Sequence, residues 1–137
     1  MAEMRTRAVD RSKYKNYLQK ADEFLATASA AFERGMYNAC VLDSIHTVIS
    51  AADALLVYVK GLRYAGTRHD EAVALFSKAL PRDAALDKNV HRFGSIISIK
   101  TRAEYMEHLQ KREEAESALR DAERFLAYIK EKLPRES

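Results

Sequence analysis

From residue 14 to residue 60 the chain holds no proline and a single glycine, Gly35. No other feature constrains the fold as strongly, because these are the two residues that most readily interrupt a helix. The whole chain of 137 residues has only four glycines and two prolines, so its breaks are few and the helices between them must be long. In the first stretch apolar residues fall at Tyr14, Tyr17, Leu18, Ala21, Phe24, Leu25, Ala28 and Phe32. That three-and-four spacing makes one stripe on a helix, which Gly35 closes by taking the left-handed conformation after Glu33 and Arg34.

A second helix is predicted from about Tyr37 to Lys60, apolar on nearly every side through residues such as Val41, Ile45, Val48, Ile49, Leu55 and Leu56. A helix with so little polar face belongs at the centre of a fold. Gly61 and Gly66 then frame a basic loop that runs on to His69, expected to be exposed because it has little to bury, with Thr67 or Asp70 capping the next helix. This third helix is short, carries Val73, Leu75, Phe76, Ala79 and Leu80, and stops before Pro81. A fourth runs from about Ala84 to beyond Tyr105, and a fifth from about Glu113 to Leu133 on a stripe of Ala115, Ala118, Leu119, Ala122, Phe125, Leu126 and Ile129. No segment alternates with period two and no stretch repeats, so sheets and solenoids are not expected. The prediction is an all-α, up-and-down antiparallel bundle of four long helices plus one short helix. It forms one domain over residues 1–137, with its core at about 12–133, a short basic N-terminal tail and a C-terminal tail.

Composition narrows the function classes. Hydrophobic residues, 47% of the chain, are spread along its whole length, which excludes a disordered chain. The net charge of +3 is compatible with a phosphate-bearing partner without requiring one, and the charges are interspersed as on a solvated helix surface. The apolar run at residues 51–59 is cut by Asp53 and ended by Lys60, so no membrane span is expected. Residues 1–11 lack the apolar region of a signal peptide, which makes the cytoplasm the default location. Cys40, the lone cysteine, supplies neither a disulfide nor a zinc knuckle and reads as a small buried apolar residue. There is no metal-ligand spacing, no glycine-rich phosphate loop and no Ser, His and Asp arrangement, so neither a metal nor a cofactor is expected.

Chemistry is offered by the segment from Lys100 to His108. An arginine beside a histidine suits phosphodiester cleavage, since a guanidinium holds phosphate bidentately and an imidazole moves a proton near neutral pH. RNA supplies its own 2′-hydroxyl as nucleophile, so no metal is needed. On an unbroken helix Arg102 and His108 would point about 120° apart, and they converge only if the helix bends or ends between them, or if a second subunit supplies a copy opposite. Thr101, Tyr105 and His108 would share a stripe. The competing reading is an ordinary helix surface with Glu104 and Glu107 as ion-pair partners. The same spacing recurs at Arg63 and His69 in the basic loop, where exposed loop charge accounts for it. A polar strip of Asp43, Ser44, His46, Thr47 and Asp53 on the central helix is placed to line a groove, although a core histidine is the simpler account of His46; His91 is expected to face solvent.

Several segments in order resemble the HEPN (higher eukaryotes and prokaryotes nucleotide-binding) family over about Tyr14 to Leu133. They are Tyr17 to Leu25, Gly35 to Ala39, Ser50 to Leu56 followed by Lys60 to Arg63, His69 to Phe76, Arg102 to Tyr105, and Ala122 to Leu126. The resemblance implies a helical bundle that dimerises around a cleft, in which ribonucleases of the family carry an arginine followed by four to six residues and a histidine. Arg102 and His108 match that spacing, as phosphate holder and proton-transfer residue. Lys100, Thr101, Tyr105, Asp43 and His46 are the expected substrate contacts. Family ribonucleases often carry a polar residue directly after the arginine, where this chain has Ala103. Two readings follow. One is a homodimer that binds RNA or nucleotide, as a metal-independent endoribonuclease of a toxin–antitoxin-like system. The other is a non-catalytic interaction module that partners a minimal nucleotidyltransferase or another protein.

Overall fold

A computed structural model describes residues 4–135. Its long helices are α1 (Tyr14–Glu33), α2 (Tyr37–Lys60), α4 (Ala84–Ser98) and α6 (Arg112–Lys132), with the shorter α3 (His69–Ser77) and α5 (Lys100–Tyr105). Two three-residue strands, β1 (Thr6–Ala8) and β2 (Leu62–Tyr64), and a 3-10 turn at Arg11–Lys13 complete the elements of the described residues.

The expected all-α bundle forms around α2. Its small and apolar side chains, from Cys40 through Val41, Ile45, Val48 and Leu55 to Val57, are buried along almost its whole length against α1 and α6. By length and composition α2 resembles a membrane span, yet most of that stretch is buried among the other helices, which leaves no clear span among the described residues. Helix α1 presents Ala21, Ala28 and Ala31 to the core, small residues that let it lie close to α2. At the other end Phe76 of α3, Phe93 of α4 and Phe125 of α6 meet with ring centroids 5.2–5.8 Å apart. Lys130 of α6 reaches Asp22 of α1 at 2.6 Å. Cys40 is buried, its thiol pointing to the Ala115 carbonyl at 3.8 Å.

Four expectations need correction. Sheet structure is present after all: β1 and β2 pair antiparallel, with Thr6 opposite Tyr64, Arg7 opposite Arg63 and Ala8 opposite Leu62. The ribbon is extended by Val9 N–H donating to the Gly61 carbonyl at 2.9 Å and Ala65 N–H donating to the Arg5 carbonyl at 3.0 Å. It begins right after Gly61, whose φ of 67° ends α2 in a conformation that costs glycine nothing. The basic loop is consequently half-buried over residues 61–64 instead of exposed, and part of the basic N-terminal tail is a strand.

The start of α3 is capped by neither Thr67 nor Asp70. The Arg68 N–H donates to the Tyr64 phenol at 2.9 Å, and that phenol donates to Glu71 at 2.9 Å. Gly66 is required beside it, because a Cβ there would run into the Tyr64 ring and hydroxyl.

The fourth helix does not run unbroken past Tyr105. It is interrupted at Ile99 and ends at Tyr105, with Met106 extended at φ −96° and ψ 159°. No glycine or proline causes the break. Ile96 and Ile97 are held in the core, whereas α5 has no buried residue and follows partners on α2 and α6 instead.

Candidate functional site

The end of α5 decides the geometry of Arg102 and His108. Because the helix stops at Tyr105, His108 does not fall on the stripe of Thr101 and Tyr105; the extended backbone turns it back toward α6. There both candidate residues meet one carboxylate. The Arg102 guanidinium donates to Glu114 Oε2 at 3.2 Å, and His108 Nε2 lies 3.1 Å from Oε1 and 3.2 Å from Oε2. Glu114 is fixed in turn by the start of α6, where the Lys111 N–H donates to its Oε1 at 2.9 Å. That backbone donor, followed by His108 and Arg102, holds the Glu114 carboxyl below the ordinary glutamate range. All three side chains keep a solvent-facing part, with 50%, 34% and 29% of Arg102, His108 and Glu114 exposed.

The ion pairs expected for this segment are replaced by others. Glu104 turns to α2, accepting from Lys100 at 3.1 Å and lying 3.4 Å from His46 Nε2, while His46 also rests on the Phe24 ring at 5.3 Å. Glu107 is exposed and joins no ion pair among the described residues. His46 is thus a bridge between α2 and α5, not a core histidine. His91 faces solvent as expected.

Apart from His46, the other expected substrate contacts line two grooves. One, of about 700 Å³, lies between α1 and α2 and is lined by Asp43, Ser50 and Asp53 with Tyr17, Lys20 and Arg63 among their neighbours. Ser44 and Thr47 of the polar strip are instead fully buried, and Thr47 donates to the Asp43 carbonyl at 2.8 Å. The second groove, of about 470 Å³, receives Lys100, Thr101 and Tyr105 from α5, together with Arg63 and His69 from the basic segment. Its floor is the α2 stripe Ile49, Ala52, Asp53 and Leu56, whose three-and-four spacing sets these residues on one face. Arg102 and His108 are therefore brought together, Lys100, Thr101 and Tyr105 are gathered separately, and Asp43 lies apart from both groups.

Glu114 went unread in the sequence. The signal that finds it is Lys111 followed three residues later by a glutamate just ahead of the stripe from Ala115, the spacing of a helix-capping side chain. Gln110 is also notable: only 6% exposed, it lines a small cavity beside Arg102, and neither atom of its side-chain amide has a hydrogen-bond partner. Among the described residues no cluster of three or more His, Cys, Asp and Glu side chains is placed to hold a metal ion.

A model of the HEPN domain matches residues 14–133. Among solved structures the chain is similar to TT1696 from Thermus thermophilus, at a TM-score of 0.66 and 21% identity, over 88% of this chain and 98% of that one. At such identity the likeness concerns the fold alone. No curated protein matches the sequence.

Proposed function

Because the chain belongs to the HEPN domain family, whose members are generally tied to nucleotides and RNA, we propose that it works as a homodimer that binds RNA in a cleft between two copies and cleaves it without a metal, in a toxin–antitoxin-like pair. The observation that carries this reading is the convergence of Arg102 and His108 on Glu114. Two side chains that an unbroken helix would splay are held no further apart than one carboxylate bridges, which is also the span of a phosphate.

In the reaction the 2′-hydroxyl attacks phosphorus and the 5′-oxygen departs, leaving a 2′,3′-cyclic phosphate and a 5′-hydroxyl. Arg102 takes the phosphate in place of Glu114 and stabilises the charge that builds on its oxygens. His108 of one copy removes the 2′ proton, and His108 of the partner subunit delivers a proton to the leaving oxygen. With Nε2 turned to Glu114, Nδ1 is the ring nitrogen left to handle the proton. Glu114 acts as a positioning residue: it holds the imidazole in place and yields the guanidinium when phosphate arrives.

A second reading is favoured by a different observation. Tyr105, Met106 and Leu109 flank His108 and are 76%, 54% and 74% exposed. Large apolar side chains left this exposed within five residues of one another fit a protein interface. If it covers a nucleotidyltransferase or another protein and not a second copy, the chain is a non-catalytic module. Incubating the protein with RNA in EDTA, beside Arg102→Ala and His108→Ala, separates the two. Cleavage abolished by both substitutions supports the nuclease, and an inert wild-type protein supports the module.

A further inference from the structure

Asp53 is the one element of the second groove that its surroundings do not explain. It is half-buried on α2, and the groups that act on it, Arg63 first and then Lys20, do so through space without donating a hydrogen bond to it. Burial pushes its carboxyl up to about 7. No side chain or backbone N–H of the described residues donates to it, so its oxygens stand open to the groove as a position for donors that arrive from outside. Three features define what such a ligand must be. Beside Asp53 the floor is apolar, with Leu56, Phe93 and Ile97 all at least 95% buried and lining the groove, so it accepts a flat, uncharged ring. Arg63, Arg68 and Lys100 around the opening repel a cation, and a single carboxylate does not make a metal site. Arg68 is paired with Asp70 and Lys100 with Glu104, which leaves Arg63 foremost to attract an anion. Arg63 is the freest of them, since its guanidinium donates only to the Tyr64 carbonyl, at 3.2 Å, among the described residues. At the mouth Tyr105 stands 76% exposed, a ring with nothing yet stacked on it.

We propose that this groove is a guanine-recognition site, in which Asp53 accepts the N1–H and the 2-amino N–H of the base while Arg63 and Lys100 meet the attached phosphate. The choice of base follows from the acceptor. A carboxylate has two oxygens side by side and needs two adjacent donors. Guanine presents them. Adenine and cytosine each set one amino donor beside an acceptor nitrogen, and uracil sets one N–H between two carbonyls, so each turns a lone pair toward a carboxylate oxygen. The volume of about 470 Å³ accommodates one nucleotide unit. The site rests on the reading of this chain as an RNA- or nucleotide-binding domain but not on cleavage, because α5 turns Lys100, Thr101 and Tyr105 to this groove and Arg102 to Glu114.

Calorimetric titration of the whole protein with GMP, IMP, AMP and CMP tests it. GMP is expected to bind about tenfold or more tighter than AMP or CMP, and IMP, which lacks only the 2-amino group, to lose about tenfold against GMP. Asp53→Asn should bind GMP at least about tenfold more weakly and no longer distinguish it from IMP. A short single-stranded RNA with one guanosine, compared with the same strand carrying inosine, identifies the source: a gain over GMP that inosine abolishes places the site on RNA, and equal affinity places it on the free nucleotide. Equal binding of all four nucleotides, tighter AMP binding, or no GMP binding in the millimolar range overturns the proposal. RNA cleavage in EDTA is followed in parallel. GMP selectivity without cleavage supports the guanine site and removes the nuclease reading, whereas cleavage without GMP selectivity does the reverse.

Discussion

Burial holds the Asp53 carboxyl up at about 7, so the folded chain keeps a proton that the unfolded chain releases near the ordinary value of 3.8. The sign follows by linkage. Below 3.8 both states are protonated and the carboxyl costs nothing; between 3.8 and about 7 stability falls as pH rises; above about 7 the cost is constant. Asp53→Asn should therefore match the wild type in denaturant unfolding at about pH 4 and exceed it by a few kcal/mol at about pH 8. Equal stability at both pH values would contradict the burial argument. Glu114 yields a second prediction. Glu114→Gln keeps an oxygen for the Lys111 N–H but removes the charge that competes for Arg102, so single-stranded RNA should bind about two- to fivefold tighter by filter assay in EDTA. At this scale the chemistry of Arg102 and His108 marks them in the sequence as candidates. What they touch was hidden, because Glu114 reaches them only once the chain has turned after Tyr105.

Among the elements, α1, α2 and α6 were legible nearly to the residue, since each combines an apolar stripe with a glycine or a polar boundary at its end. The break at Ile99 was not. No local residue encodes it, and the competing pulls of the core on Ile96 and of α2 on Glu104 are tertiary. The ribbon was missed for a related reason: its two three-residue strands are far apart in sequence and too short to alternate visibly. Helix α3 hangs on one large side chain. Phe76→Ala removes the ring shared with Phe93 and Phe125 and should cost about 3–5 kcal/mol, read as a fall in Tm. Gly66→Ala should displace the Tyr64 phenol from the start of α3 and lower Tm by less, because the clash lies with a side chain that can swing outward.

For the molecule as a whole, the bundle and its single core followed from the scarcity of breaks, whereas assembly leaves little trace in one sequence. The exposed pair Met106 and Leu109 is where a second copy is expected to sit. Leu109→Asp should convert a dimer to a monomer in sedimentation velocity without changing the helical circular dichroism signal. A wild-type protein that is already monomeric would remove the dimer cleft. Helix α5 stands between the two proposed sites, with no buried residue of its own, and is fastened by Glu104 to His46 and by Arg102 to Glu114. So thin a partition should open without the rest of the bundle unfolding, and its amides should exchange with deuterium well before those of α2. Occupancy on either side would then slow exchange in the same six residues, letting two otherwise separate pockets register each other's ligands through one shared wall.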